Sequence, residues 1–178
     1  MRESGEKRWQ ENRLLASLPD RDRTRLLPQL EILTLFAKES VYESGDEINY
    51  IYFPLDCIVV LISSVDSKAT VEVGLIGNEG VVGAQLLMGA KQSTSQALIL
   101  TEGKALRLPA AVLKKEAKRS SRMREVMLNY ANALLEQSAQ LAACHKSEEK
   151  ACRPHAIRGS GGLPKAVGSK YSDNFLCI

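Results

Sequence analysis

Between Glu31 and Pro109 the chain breaks into short runs of β-branched and aromatic residues, and the gaps between the runs leave no room for long helices. Runs at 31–36 (EILTLF), 40–43, 49–53, 57–63 (CIVVLIS), 70–76 (TVEVGLI), 81–83, 95–101 (SQALILT) and 104–108 predict strands. Turns are predicted at Ser44-Gly45-Asp46, Asp66-Ser67-Lys68, Gly77-Asn78-Glu79-Gly80 and Glu102-Gly103. Parallel neighbours need a crossover of about a dozen residues or more, so this spacing opposes a parallel α/β sheet and predicts an antiparallel sandwich or barrel.

The flanks change period. Residues 11–30 (ENRLLASLPDRDRTRLLPQL) read as two short amphipathic helices split at Pro19, with Leu14, Leu15, Leu18, Leu26, Leu27 and Leu30 turned inward as a collar. After Pro109 a short helix is predicted over 110–117. Residues 119–144 then run for 26 positions without Gly or Pro. Along that run Met123, Met127, Tyr130, Leu134, Leu141 and Cys144 recur at alternating spacings of four and three, broken only at Gln137. A narrow seam of this kind predicts self-association, and Met123, Met127, Tyr130, Leu134 and Leu141 are the expected dimer contacts. A helix closing on its own barrel shows the same stripe. The last 34 residues have neither period, and their glycines, prolines and scattered charge predict a flexible tail.

Charge is unevenly spread. Residues 33–110 hold five basic and nine acidic side chains, a balance of −4, whereas residues 111–178 hold twelve and six, a balance of +6. Pairs such as Lys114-Lys115 and Lys118-Arg119 read as a solvated helix face before they read as a nucleic-acid surface. No apolar run approaches the roughly 18 residues of a membrane helix, and Met1 to Asn12 is too charged for a secretory leader, so a cytoplasmic location without membrane partners is expected. The four cysteines, Cys57, Cys144, Cys152 and Cys177, are then expected to be reduced, with Cys57 a small buried hydrophobe inside CIVVLIS.

Three segments taken in order, VYESGDEINYIYFP (41–54), VEVGLIGNEGVVGAQLLMG (71–89) and the helix after LRLP (106–109), resemble the sensor half of the Crp/Fnr family of bacterial transcription regulators. The resemblance covers about residues 11–144. It implies a mainly β fold with flanking helices: a double-stranded β-helix, or jelly roll, of the cyclic nucleotide-binding type. It divides the chain into a jelly-roll domain with its helical collar (11–117), a long dimerisation helix (118–144) and a tail (145–178) without a helix-turn-helix.

In nucleotide-binding members of that family a glutamate follows a glycine to hold the ribose, and an arginine before Ser/Thr-Ala holds the cyclic phosphate. Here Gly83 matches the glycine, but Ala84 follows it and Ser95-Gln96 precedes Ala97; no Arg or Lys lies between Gln92 and Thr101. A charge-assisted phosphate contact contributes roughly 1.5–3 kcal/mol, so its loss alone weakens binding about tenfold to a hundredfold. Cyclic AMP is therefore not expected to bind with physiological affinity. Gly83, Ala84, Gln85, Ser93, Thr94, Ser95 and Gln96 remain the candidate positions for an unidentified, less anionic effector. The competing reading is that Leu86, Leu87 and Met88 plug the barrel and nothing binds.

Other chemistries find no residues. The family's iron–sulfur sensors use cysteines near the N-terminus, and residues 1–56 contain none; both histidines, His145 and His155, lie outside the barrel, which opposes haem, metal-dependent cupin and Ser-His-Asp chemistry. Cys144, His145, Cys152 and His155 fit no usual zinc-finger spacing. No cofactor, metal or catalytic residue is expected. The family's DNA-reading half needs roughly 60–80 residues, more than the 34 that follow Cys144. The expected protein is thus a homodimeric sensor and dimerisation module, truncated through a reading-frame change or a genuine stand-alone module, that reaches DNA only through a full-length family partner. The alternative is an interaction protein that binds no ligand and heterodimerises with full-length regulators.

Overall fold

The computed structural model describes residues 8–66 and 69–151. In chain order the elements are α1 (Arg13–Ser17), α2 (Asp20–Leu26), β1 (Glu31–Leu35), β2 (Ser40–Tyr42), β3 (Tyr50–Pro54), β4 (Ile58–Asp66), β5 (Ala69–Ile76), β6 (Gln96–Thr101), β7 (Gly103–Pro109), α3 (Ala110–Arg119) and α4 (Ser121–Ala151). The strands form two antiparallel sheets of order β1-β7-β3 and β2-β6-β4-β5, stacked as a jelly roll rather than joined into one closed ring.

Strand alternation gives the β1-β7-β3 sheet two covered faces. On one, Ile51, Phe53, Leu106 and Leu108 join Leu14, Leu15, Leu18, Leu26, Leu113, Met123 and Met127 in the main core. On the other, Leu35 and Ala105 meet Cys57, just ahead of β4, and Ile99 of the opposite sheet. Cys57 is the small buried side chain expected, and burial pushes its thiol up from the usual range.

One expected strand is missing. Residues 81–83 make only a single bridge, in which Tyr52 N–H donates to Val82 O at 3.1 Å and Val82 N–H to Tyr52 O at 2.8 Å. Gly83 then turns to φ +99°, in the left-handed region that favours glycine, and the chain enters a 3-10 turn over Ala84–Met88. The segment 110–117 is helical as expected and continues to Arg119. The long helix runs to Ala151, so 145–151 extends it, and the rest of the expected tail lies outside the described residues.

Along α4, residues of the expected dimer seam pack on this chain's own jelly roll. Met123 and Met127 are fully buried in this chain's own core, and half-buried Tyr130 packs against the same core. Leu134 packs beside Val59, Leu61, Ile76 and Val82, and Leu141 is partly buried. Burial gains roughly 25 cal/mol per Å² of apolar surface whichever surface supplies the cover, and here the jelly roll supplies it.

Two polar devices fasten the helices. Asn12, fully buried, caps α1 by accepting from Leu15 N–H at 2.9 Å, and its amide donates to Pro54 O and Gly80 O, each at 2.9 Å. At the α3–α4 elbow Arg25 pairs with Asp22 and, through Nε at 2.5 Å, with Glu116. Ser120 Oγ donates to Asp22 at 2.6 Å while accepting from Met123 N–H at 3.1 Å, which caps α4.

Candidate functional site

The turn at Ala84–Met88 presents the predicted effector positions. A Cβ at Gly83 would fit tightly, 3.0 Å from Ile51 Cγ2 and 3.3 Å from Ile48 Cγ2. Ala84 is buried and apolar. Gln85 Nε2 donates to Tyr42 OH and to Ser93 Oγ, both at 3.3 Å. Ser93 Oγ donates to Ser95 O at 2.6 Å and accepts from Ser95 N–H at 3.2 Å.

Gly83, Ala84, Gln85, Ser93 and Ser95 therefore belong to one inward-facing region, whose hydrogen bonds meet at Ser93 Oγ. Thr94 and Gln96 stand apart. Thr94 is exposed. Gln96 alternates with the fully buried Ala97, and its amide donates to Ser40 Oγ at 2.9 Å and Glu43 Oε1 at 3.2 Å. Of the three expected plug residues, Leu86 is buried, Leu87 half-buried and Met88 47 % exposed. Lys91 is exposed.

Tyr42 is also a wall of a cleft of about 360 Å³ lined by Val41, Tyr42, Asp46, Glu47, Ile48, Asn49, Tyr50 and Tyr52. Burial pushes the phenols of Tyr42 and Tyr52 up; hydrogen bonding from Gln85 and Ser93 opposes the shift at Tyr42, and Arg107 opposes it at Tyr52. Arg107 lies directly opposite Tyr52 in the β3–β7 register. Its guanidinium stacks over the Tyr50 ring, 4.5 Å from the centroid, and pairs with Glu31 at 2.6 Å. Its buried Nε has no hydrogen-bond partner among the described residues.

Sequence reasoning missed this tyrosine wall. The signal was NYIYFP: period-2 alternation puts Tyr50 and Tyr52 on one face and Ile51 and Phe53 on the other.

The turn and α4 touch through Gly80. A Cβ there would lie 2.6 Å from Tyr130 Cζ and 2.8 Å from Cε2, and closer still to the hydroxyl. Burial pushes the Tyr130 phenol well above the usual tyrosine range, against a hydrogen bond from the Val81 backbone. Among the described residues no group of three or more His, Cys, Asp and Glu could hold a metal ion, and no helix is long and apolar enough to cross a membrane. Of the cluster Cys144, His145, Cys152 and His155, the last two lie outside the described residues.

No family model matches the chain, and no curated protein matches it in sequence. Solved structures do match. A cyclic nucleotide-binding domain from Methylobacillus flagellatus is 12% identical with a TM-score of 0.60, covering 88% of each chain. The N-terminal domain of a transcriptional regulator from Streptomyces coelicolor is 18% identical with a TM-score of 0.53, covering 82% of this chain and 96% of its own. The c-di-GMP responsive global regulator CLP of Xanthomonas campestris is 14% identical with a TM-score of 0.60, covering 79% of this chain and 76% of its own. The class that emerges is a jelly-roll domain with the fold of cyclic nucleotide-binding domains.

Proposed function

We propose that this chain is the sensor and dimerisation module of a Crp/Fnr-type transcription regulator, degenerate for cyclic AMP, and that it is not an enzyme. The observation that carries the reading is the region around Ala84: at the positions that the resemblance assigns to the ribose carboxylate and the phosphate guanidinium stand a buried methyl group and a Gln85–Ser93–Ser95 network with no cation in it. A cyclic phosphate brought there would be desolvated against neutral partners that are already bonded to one another.

Dimerisation is assigned to the face of α4 that the jelly roll leaves uncovered. Leu128, Asn132, Leu135 and Ala139 recur at spacings of four, three and four, and Leu135 is 54 % exposed. An effector held near Tyr42 and Gln85 would bias the Ala84–Met88 turn and, through it, the packing of α4, a population shift between two helix positions.

The reading is tested by calorimetric titration with cyclic AMP and cyclic GMP and by light scattering. No micromolar binding of either nucleotide is expected, together with a dimer that Leu135→Glu converts to monomer. Micromolar binding of cyclic AMP, or a wild-type monomer at high micromolar concentration, overturns it. A second reading, an interaction protein that binds no ligand, draws on the hydrogen bonds that join Gln85, Ser93 and Ser95.

A further inference from the structure

We propose that the cleft beside Tyr42 binds a small organic cation, an amine or quaternary ammonium carried on an apolar or aromatic body. The proposal rests on the sensor reading above and names the chemical class of its effector. The wall consists of three phenols (Tyr42, Tyr50, Tyr52), two carboxylates (Asp46, Glu47), the amide of Asn49 and two aliphatic side chains, with no Lys, Arg or His among them. A volume of about 360 Å³ lies within the ordinary range for small-ligand sites.

The phenol rings and the two carboxylates of this lining favour positive charge. Tyrosine faces attract cations through the ring quadrupole, and carboxylates at the mouth repel anions. The Tyr50 ring already carries one cation, the Arg107 guanidinium, whose charge is offset by its pairing with Glu31 at 2.6 Å. Asp46 is held in place because its Oδ2 accepts from Glu43 N–H at 2.8 Å. The backbone of Glu47 bridges to Gln92, while its carboxylate forms no ion pair with a described residue. Glu47 is an exposed carboxylate of the lining.

The same cleft is wired to the predicted effector region. Tyr42 forms its inner wall and accepts the hydrogen bond from Gln85, which stands in the Ala84–Met88 turn. A cation seated against the phenol would act on that hydrogen bond.

The test is titration of the full chain, followed by calorimetry and by tyrosine ring NMR signals, with three benzyl probes of similar size: benzyltrimethylammonium, benzyl alcohol and phenylacetate. The expected result is saturable binding of the ammonium probe, weaker binding of the alcohol and none of the acid. Glu47→Gln is expected to weaken the ammonium probe about two- to tenfold, and Tyr50→Leu about two- to fivefold. Far-ultraviolet circular dichroism confirms that both variants fold. Phenylacetate binding as tightly as the ammonium, or ammonium binding unchanged in both variants, overturns the site. Ammonium binding that leaves the light-scattering mass and the α4 signals unmoved sustains the site and overturns the sensor reading instead.

Discussion

Replacing Gly80 by Ala probes the contact between the turn and α4. Gly80 is not among the glycines with positive φ, which are Gly45, Gly83 and Gly89, so its backbone accepts alanine. The added methyl meets the Tyr130 ring at 2.6–2.8 Å, inside any real carbon–carbon contact. Tyr130 packs against the core around Met127, which limits how far its ring can swing aside. Overpacking of this kind costs about 1–3 kcal/mol. For a chain of this size each kcal/mol lowers Tm by roughly 2–4 °C. With the tyrosine gone the sign reverses, because Gly→Ala at a compatible site stabilises by about 0.4–1 kcal/mol through the unfolded chain. Urea melts of wild type, Gly80→Ala, Tyr130→Leu and the double variant at one protein concentration form the cycle. The alanine is expected to destabilise wild type and to be neutral or stabilising in the Tyr130→Leu background, where the shorter side chain leaves room for it. Additivity within about 0.5 kcal/mol would show that Tyr130 is not what keeps Gly80 a glycine.

Further outcomes follow from the helices. Met127→Ala, at a fully buried position, is expected to cost about 2–5 kcal/mol in urea melts, whereas Leu135→Ala changes monomer stability by less than about 0.5 kcal/mol while weakening association in light scattering. The Arg25 guanidinium holds the Glu116 carboxyl below its usual range, so that carboxylate stabilises the fold above its unfolded pKa and ceases to as pH falls. Arg25→Met should therefore be less stable than wild type near neutrality, with the gap closing as pH falls below the ordinary glutamate range; a gap constant with pH refutes the ion-pair assignment. Asn12→Ala removes the α1 cap and both bonds to Pro54 O and Gly80 O, and is expected to cost about 1–3 kcal/mol by thermal melt.

Much of this architecture is written in residue periods. The alternating runs and turns between Glu31 and Pro109 determine an antiparallel β domain, the leucines of residues 11–30 determine a collar, and the absence of cations between Gln92 and Thr101 is a property of the chain however it folds. Residues 81–83 read as a strand because Val-Val-Gly suits one, and only the positive φ at Gly83 shows the run ending there after a single bridge. Thr94 and Gln96 looked like partners of Ser93 and Ser95, yet alternation about Ala97 separates them. Tyr42, Tyr50, Tyr52 and Arg107 come from three strands, so their meeting depends on the pairing of β3 with β7 and on the stacking of the two sheets. The Met123–Met127 stripe was legible as a surface to be covered, and tertiary packing alone decided that the jelly roll covers it. Period reports that a face is apolar; which neighbour buries it depends on contacts between residues distant along the chain.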